Sequence, residues 1–358
     1  ISDKPVHAPH HKVNLLIALD KKSYQIHQKE MLPEGLVLLN QAEEQESKQL
    51  VPVPFEELAE KAGAKITSNT VAAGAALGVL GAPMKLIEKI LSNQFRSKGE
   101  DILKKNVKAA ELGYDAVKDI TFKWDFDWKV PESKPILIQG SQAIALGALA
   151  GDCRLGAFYP MSPATGIMAH LVGYSDDFPL VVEQAEDEIA AINMVIGGSF
   201  AGVRSMTATS GGGFSLMTEG LGLAAITETP VVIVNSQRPG PATGLPTRTA
   251  QADLYFVINA SQDEFPRFVF APGSPEQAYE TMIRAFTLSE KYQVPAIVLT
   301  DQHLNDSYFI IEKAFSAPKE LERYIVGDDQ LEDASKYERF ALDASGVSPR
   351  ALPCMGDA

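Results

Sequence analysis

Short apolar runs alternate regularly with helical patterns over the second half of the chain, and this constrains the fold more than any other feature. We expect strands at 136–139, 156–159, 180–183, 204–209, 231–235, 267–271 and 296–301. Helical spacing falls between most of them, at 141–149, 165–171, 187–202, 213–226 and 275–292. Because right-handed crossovers place successive strands in one sheet, the alternation predicts an α/β fold, a parallel sheet with helices on both faces.

The first third of the chain has a smaller α/β pattern of its own. Apolar runs at 12–20 and 36–39 flank a helical stretch at 21–31 and a turn at 33–35, which is typical of a βαβ unit. Further helices are expected at 69–80 and, as a pair, over 83–113. We therefore expect a partial first domain at 1–121, a linker at 122–134, the larger α/β domain at 135–310, and a second linker at 311–358 that leads toward an absent domain.

Four aromatic residues alternate with charged ones in the predicted linker, namely Phe122, Trp124, Phe126 and Trp128. A period of two places all four on one side of an extended strand. We interpret the segment as a strap that joins two domains, and an aromatic platform for a ligand is the alternative.

Charge and cysteine content exclude several classes of protein. The formal net charge of −14 opposes nucleic-acid binding, since phosphates would meet a repelling field. No apolar run reaches the roughly 18 to 20 residues of a membrane span, and the first residues lack the pattern of a signal peptide. Cys153 and Cys354 have no CxxC or cysteine–histidine spacing, so we expect no metal centre on this chain and a cytoplasmic location. Because the sequence opens at Ile1 without a methionine and stops without a terminal helix, we also expect a chain cut from a longer protein.

A loop with two prolines follows the strand expected at 156–159. Ligands of open parallel sheets bind beyond the carboxyl ends of the strands, so this loop is a candidate site. Pro160 and Pro163 restrict the backbone on both sides of Ser162 and would hold its hydroxyl in a defined position. A structural turn that begins the next helix is an equally good interpretation.

Two further strand ends carry polar or glycine-rich sequences. Glu186, Asp187 and Glu188 stand before a helix, where the helix dipole stabilises carboxylates whether or not they take part in catalysis. Ser210 is followed by three glycines, beginning with Gly211, and these would let a ligand approach the backbone closely. The glycine sequence matches no nucleotide-binding fingerprint, so its chemistry stays open.

The fourth candidate follows the strand expected at 231–235 and contains Arg238 and Arg248 with Thr243 and Thr247. An arginine at the carboxyl edge of a sheet suits a bidentate grip on a carboxylate or phosphate. A surface arginine on a proline-rich loop explains the sequence equally well.

In their order these segments resemble the alpha subunit of the 2-oxoacid:ferredoxin oxidoreductases, in the form with a gamma domain fused in front, as in 2-oxoglutarate:ferredoxin oxidoreductase. The resemblance covers about 134–308 and is carried by YPMSP, EDEIAAINMVIGGSFAG, MTATSGGGFSLM, QRPGPATGLPTRTAQADL and KYQVPAIVL. Residues 12–120 resemble the rear part of the gamma domain. The resemblance implies a pyrimidine-binding domain for thiamine diphosphate, preceded by a smaller α/β gamma-type domain.

It further implies an enzyme that converts a 2-oxo acid, with 2-oxoglutarate favoured, and coenzyme A to an acyl-CoA and passes electrons to ferredoxin. The alpha chain shares thiamine diphosphate with a beta subunit, and the beta subunit carries Mg²⁺ and a [4Fe-4S] cluster. Neither chain is expected to work alone, and an alpha/beta hetero-oligomer, or a homodimer in isolation, is the expected assembly.

Residue by residue, Glu188 matches the catalytic carboxylate that pairs with N1′ of the aminopyrimidine of the cofactor. Arg238 matches the arginine that holds the substrate carboxylate, and Ser162 matches a threonine that hydrogen-bonds the substrate. The resemblance also assigns Pro160 and Thr243 to substrate binding and Ser210 and Gly211 to cofactor binding.

The sequence departs from the family pattern at Met161, Ser162, Ala164 and Gly212, where the family has isoleucine, threonine, serine and proline. These changes bear on the range of substrates more than on the cofactor. Two alternatives from other classes are a non-catalytic paralogue that keeps the fold and a subunit of another thiamine-dependent lyase or transferase.

Overall fold

The computed structural model describes residues 11–40, 49–120, 128, 135–327, 331, 337–342 and 344–355. The chain forms two compact units, Ile1–Val130 and Pro131–Ala358. The finer division of the chain at 121, 134 and 310 stays a prediction.

The first unit is a three-stranded parallel sheet with helices. Its strands, in the spatial order β1, β2, β3, are Val13–Ala18, Met31–Leu39 and Leu50–Pro52. Its helices are α1 (Lys21–His27), α2 (Phe55–Lys61), α3 (Ser68–Val79), α4 (Met84–Phe95) and α5 (Glu100–Asp115). The helices predicted at 69–80 and over 83–113 are confirmed.

Small residues let α3 and α5 pack with their backbones close together. A Cβ added at Gly74 would clash with the backbone of Ala110, and one at Gly113 would clash with that of Val71.

The predicted bounds of the first helix, 21–31, and of the turn at 33–35 were wrong. The helix ends at His27, and β2 already begins at Met31, with the turn residues absorbed as a register shift against β1.

The second unit contains the predicted larger α/β fold. Its strands are β4 (Ile136–Gln139), β5 (Cys153–Phe158), β6 (Val181–Gln184), β7 (Arg204–Thr209), β8 (Val232–Gln237), β9 (Phe268–Phe270), β10 (Ala296–Asp301) and β11 (Tyr308–Ile311). Its helices are α6 (Gly140–Ala150), α7 (Thr165–Tyr174), α8 (Glu188–Phe200), α9 (Gly211–Leu216), α10 (Thr218–Ile226), α11 (Leu254–Asn259), α12 (Pro275–Tyr292) and α13 (Gln302–Asp306).

Six of these strands form a parallel sheet in the order β6-β5-β7-β8-β10-β9. One apolar core covers the face under α6, α7 and α12, and a second covers the face under α8 and α10. The predicted parallel sheet with helices on both faces is therefore confirmed. One strand was assigned wrongly, because Ile136–Gln139 lies outside this sheet and pairs antiparallel with β11. The helix predicted at 213–226 is two helices, α9 and α10, which meet at Met217.

A buried ionic cluster lies at the amino edge of the parallel sheet. Glu290, near the end of α12, forms ion pairs with Arg204 at 2.8 Å and Arg323 at 2.9 Å, and Arg350 lies 3.9 Å away. The arginines hold the pKa of Glu290 below its ordinary value, although burial alone would raise it. Through Arg323 and Arg350, the described part of the chain after β11 is thus held by charge to α12 of the same unit.

The aromatic segment predicted as a strap lies outside the described residues except for Trp128, whose Nε1 donates to the carbonyl of Leu80 at 3.0 Å. Within the described ranges, no helix combines the length and the apolar character needed to cross a bilayer.

Candidate functional site

The order in which the chain adds strands to the sheet reverses between β5 and β7. The chain passes from β5 to β6 on one side and then crosses to β7 on the other side of β5. Loops diverge at such a switch point and leave a crevice that binds ligands in parallel α/β sheets. The four segments singled out from the sequence all begin at the carboxyl ends of β5, β6, β7 and β8.

Glu188 begins α8 after β6, and its side chain is buried, with only 3% of the residue exposed. Asp187 caps the helix instead, because its Oδ1 accepts from the backbone N–H of Ala190 at 2.7 Å. The acids of this junction therefore have different environments: Glu186 is exposed, Asp187 caps, and Glu188 points inward. Capping explains Asp187 but leaves Glu188 without a structural purpose.

The carboxyl group of Glu188 has unused hydrogen-bonding capacity. Its Oε1 is buried and accepts no hydrogen bond from the described residues. Burial raises the pKa of Glu188, and the neighbouring charge of Asp187 raises it further. A carboxyl group in this state retains its proton more readily than usual and can donate a hydrogen bond to a ring nitrogen.

Gly213 in α9 forms the wall opposite Glu188. A Cβ at this position would lie 2.5 Å from Glu188 Oε1 and would clash with Oγ1 of Thr209, the last residue of β7. The same Oγ1 lies 3.8 Å from Sδ of Met161 in the proline loop. Thr209 therefore connects the surroundings of Glu188 with the loop that carries Ser162.

Arg238 and Ser162 meet across the crevice. Nη1 of Arg238 donates to the backbone carbonyl of Ser162 at 2.7 Å, and Arg238 is 9% exposed. Ser162 is an exposed residue. Since a guanidinium has several N–H donors, Arg238 can hold the loop through one of them and an anion through the others.

The other residues predicted for the site differ in how deeply they are buried. Ser210 is fully buried, and its Oγ has no hydrogen-bond partner within the described ranges. Pro160 is half-buried in the proline loop, beside Ser162. Thr243 and Arg248 are exposed on the loop that follows β8. The structure brings Ser162 and Arg238 together, and the role of Thr243 stays a prediction.

Sequence reasoning missed Asp253, at the start of α11. Its Oδ2 accepts from Nδ2 of Asn235 at 3.3 Å and would lie 2.5 Å from a Cβ added at Gly211. Burial raises the pKa of Asp253. Asp253 belongs to the QADL sequence that contributes to the resemblance, but nothing in the spacing of that sequence indicates that the side chain reaches the glycine segment.

Metal ligands do not cluster in the described ranges, which contain no group of three or more His, Cys, Asp and Glu side chains arranged to hold an ion. Cys153 is buried and Cys354 is exposed. The polar groups that converge on the crevice are instead a carboxyl group with raised pKa, a largely buried guanidinium and hydroxyl groups. Such a set suits a nitrogen heterocycle beside a small carboxylate.

Two family models match the chain. Residues 146–351 match the model described as pyruvate flavodoxin/ferredoxin oxidoreductase, thiamine diP-bdg, which denotes thiamine diphosphate binding. Residues 1–116 match the model described as pyruvate ferredoxin/flavodoxin oxidoreductase. The first match alone covers more than half of the chain.

Curated relatives have matching names. The chain is 36% identical over 328 residues to 2-oxoacid:ferredoxin oxidoreductase 1, subunit alpha, of Sulfurisphaera tokodaii, with 85% of this chain and 51% of the relative covered. It is 41% identical over 209 residues to 2-oxoglutarate synthase subunit KorA of Archaeoglobus fulgidus, with 58% and 59% covered. The chain thus spans about half the length of the relatives it matches.

A solved structure is similar over the whole chain. It is titled 2-oxoglutarate:ferredoxin oxidoreductase from Magnetococcus marinus with 2-oxoglutarate, coenzyme A and succinyl-CoA bound. The TM-score is 0.88 at 29% sequence identity, and the match covers 100% of this chain and 63% of the other. The resemblance noted in the sequence is confirmed, and the chain belongs to the pyruvate flavodoxin/ferredoxin oxidoreductase family, as an alpha-type chain with a thiamine diphosphate-binding domain.

Proposed function

We propose that this chain provides the alpha-type part of a thiamine diphosphate-dependent 2-oxoacid:ferredoxin oxidoreductase. The reaction is the oxidative decarboxylation of a 2-oxo acid with coenzyme A to an acyl-CoA and carbon dioxide, and the electrons pass to ferredoxin. The observation that carries the proposal is the buried carboxyl group of Glu188, whose Oε1 accepts no hydrogen bond from the described residues at the switch point of the sheet.

The residues present fit the cofactor. A buried polar atom without a partner costs stability unless a ligand satisfies it, and Glu188 Oε1 is such an atom. Gly213 leaves free the space that a Cβ would fill beside it. Glu188 would hold the aminopyrimidine ring, and Ser210 and Gly211 would contribute to the cofactor pocket. The chemistry supplied by bound thiamine diphosphate is a carbon nucleophile that adds to the 2-oxo carbon and keeps the electron pair when carbon dioxide leaves.

The residues of this chain would have separate tasks. Glu188, with its raised pKa, donates a hydrogen bond to N1′ of the aminopyrimidine and can exchange its proton there. Arg238 binds the substrate carboxylate and Ser162 donates its hydroxyl hydrogen to the substrate. The hydrogen bond from Arg238 to the carbonyl of Ser162 keeps the two groups in one geometry before the substrate arrives.

2-Oxoglutarate is the favoured substrate. It is named for the KorA relative from Archaeoglobus fulgidus and is bound in the Magnetococcus marinus structure, together with coenzyme A. The alternative substrates are pyruvate and branched 2-oxo acids, which the same carboxylate-binding arginine would accept.

A beta subunit is proposed as the partner, and Mg²⁺ and the [4Fe-4S] cluster are assigned to it. The relatives are named alpha subunits, which implies a second kind of chain. Large apolar side chains are exposed on helices that start at the site, namely Ile189 on α8, Leu216 on α9, and Leu254 and Tyr255 on α11. A partner that covered them would also close the crevice and exclude water.

The test uses the complete alpha chain reconstituted with its beta partner, with reduction of ferredoxin or a one-electron dye as the readout. 2-Oxoglutarate, pyruvate and a branched 2-oxo acid are assayed in parallel with coenzyme A. Glu188→Gln should lower kcat by about 10²- to 10⁴-fold, the range of a lost proton-transfer group. Glu186→Gln, two residues earlier and exposed, is the matched control and should keep full activity.

Unchanged oxidation in Glu188→Gln would contradict the catalytic assignment. A wild-type complex that binds thiamine diphosphate yet reduces no acceptor with any of the acids would favour another thiamine-dependent lyase or transferase. A complex that binds no thiamine diphosphate would favour the non-catalytic paralogue.

A further inference from the structure

Asn305, in the short helix α13 after β10, lies directly beneath the proline loop. The residue is fully buried, with 0% exposed. Its Nδ2 donates to the carbonyl of Pro163 at 3.2 Å and to Oγ of Ser236 on β8 at 2.7 Å. Both hydrogens of the amide are therefore used, one toward the loop and one toward the sheet.

Several elements hold Asn305 in place. Its backbone carbonyl accepts from Oγ of Ser141 on α6 at 2.9 Å. Its partner Ser236 also accepts from Oγ1 of Thr300 on β10 at 3.0 Å. Asp301 caps α13 through the N–H of Leu304 at 2.8 Å. The side-chain amide of Asn305 is thus a fixed donor and not an adaptable surface group.

The proline loop depends on such outside donors. Proline has no backbone N–H, so Pro160 and Pro163 can be held through their carbonyls only. Asn305 holds the carbonyl of Pro163, and Arg238 holds that of Ser162. Ser162, the residue proposed to bind the substrate, therefore lies in a stretch whose consecutive carbonyls are held from two places, the helix α13 and the loop that follows β8.

The side-chain oxygen of Asn305 lowers the stability of this arrangement. Its Oδ1 is buried and accepts no hydrogen bond from any described residue. An apolar side chain of similar size would fill the space without introducing an unpaired acceptor of its own, but it would take the donor away from the carbonyl of Pro163. Packing alone therefore does not account for an asparagine here, whereas the need for a donor beneath Pro163 does.

We propose that Asn305 is a positioning residue that holds the proline loop so that Ser162 and Arg238 bind the 2-oxo acid together. The inference rests on the proposed function, since it concerns the same substrate site. Asn305 does not touch the reacting atoms and acts only through the loop. Its loss should weaken binding of the 2-oxo acid while binding of thiamine diphosphate at Glu188 is kept.

The test is Asn305→Leu in the complete complex with the beta partner. The variant keeps the volume of the side chain and removes both N–H donors. We expect KM for the 2-oxo acid to rise by about tenfold, as expected for a lost interaction of the size of one or two hydrogen bonds. The dissociation constant of the 2-oxo acid, measured by calorimetry, should rise in parallel, whereas KM for coenzyme A and the affinity for thiamine diphosphate should not change.

Asn106→Leu is the matched control in the first unit. Asn106 is also buried, donates to the carbonyl of Ile102 at 2.9 Å and accepts from Thr70 at 2.8 Å. Both substitutions should lower thermal stability, but only Asn305→Leu should raise KM for the 2-oxo acid. An unchanged KM in Asn305→Leu, or equal losses in all kinetic constants of both variants, would overturn the proposal.

Asn305→Asp keeps the shape of the side chain and provides a second test of the proposal if the leucine variant does not fold. A protonated aspartic acid can donate to the carbonyl of Pro163, and the carboxylate cannot. KM for the 2-oxo acid should therefore rise with pH in this variant relative to wild type, and a parallel pH profile would refute the positioning role. A wild-type complex inactive with every 2-oxo acid would instead refute the proposed function itself.

Discussion

The carboxyl group of Glu188 lies against the Cα of Gly213, so close that a Cβ at position 213 would stand 2.5 Å from Glu188 Oε1. The missing side chain of one residue thus makes the space for the functional group of another. The glycine segment was noted in the sequence for its freedom to approach a ligand, but its role in the structure is to accommodate a carboxyl group of the same chain.

Gly213→Ala should displace the Glu188 side chain and weaken thiamine diphosphate binding by about tenfold or more, since each 1.4 kcal/mol of lost contact is a factor of ten. Titration calorimetry of the complete complex with thiamine diphosphate and Mg²⁺ measures the effect. Gly212→Ala is the control, because its Cβ would lie at an ordinary 3.5 Å from the carbonyl of Ala242. Equal affinities of the two variants would show that Glu188 does not need this space.

Glu188→Gln should make the isolated chain more stable at neutral pH. The pKa of Glu188 is raised in the folded state by burial, so ionisation opposes folding as the pH rises from the pKa of the unfolded chain through that of the folded chain. Glutamine has no such penalty. Melting temperatures should coincide in acid and diverge in favour of Glu188→Gln as the pH increases, and a constant difference across the range would contradict the raised pKa.

Arg238→Lys should raise KM for the 2-oxo acid by at least about tenfold, with a smaller change in kcat. Lysine keeps the charge but cannot hold the carbonyl of Ser162 and a carboxylate in the planar geometry of a guanidinium. Steady-state kinetics of the reconstituted complex provide the measurement. Arg248→Lys, on the exposed part of the same loop, is the control, and a similar rise there would place substrate recognition elsewhere.

Glu290→Gln should destabilise the chain by about 3–5 kcal/mol at neutral pH, because Arg204 and Arg350 would remain buried without their counter-charge. The arginines hold the pKa of Glu290 below its ordinary value, so the stabilisation exists above the pKa of the unfolded state and is lost as the pH falls through that of the folded state. Denaturant unfolding at several pH values should show the gap between wild type and variant closing in acid. A gap that persisted in acid would exclude the ionic explanation.

The two cysteines should differ sharply in reactivity. Burial raises the pKa of the Cys153 thiol to about 12, whereas Cys354 is exposed. Because the thiolate is the reactive form, a disulfide reagent at mildly alkaline pH should label Cys354 quickly and Cys153 only after denaturation. Rapid labelling of Cys153 in the native protein would show that β5 opens readily, and Cys354→Ser isolates that signal.

The core of the fold could be predicted because buried strands and amphipathic helices leave distinct periods in a sequence. The strands at Arg204–Thr209 and Ala296–Asp301 and the helix Pro275–Tyr292 have the predicted bounds. The strand at Ile136–Gln139 was wrongly predicted to belong to the parallel sheet. A short apolar run has the same sequence pattern in a parallel sheet and in an antiparallel pair. Partner choice there depends on β11, which no local pattern indicated.

The edge of the sheet at which the candidate residues lie could be predicted as well, because it follows from the polarity of the strands. Glu188, Ser210 and Arg238 each follow a strand of one parallel sheet and so meet at one edge. Asp253 and Asn305 could not be found this way, since their side chains reach the site by packing across elements that are distant in sequence. The roles assigned to Glu188, Arg238 and Ser162 came from the resemblance and stay predictions.

The two rims of the parallel sheet differ in whether their buried charged and polar groups have partners. At the amino rim the carboxylate of Glu290 is matched by arginines, while at the carboxyl rim acceptors such as Glu188 Oε1 and Asn235 Oδ1 are left open. The ion pairs and the unpaired acceptors are therefore separated by about the length of a strand. Substitutions that stabilise the ionic cluster can therefore be made without touching the groups that are left open at the carboxyl rim.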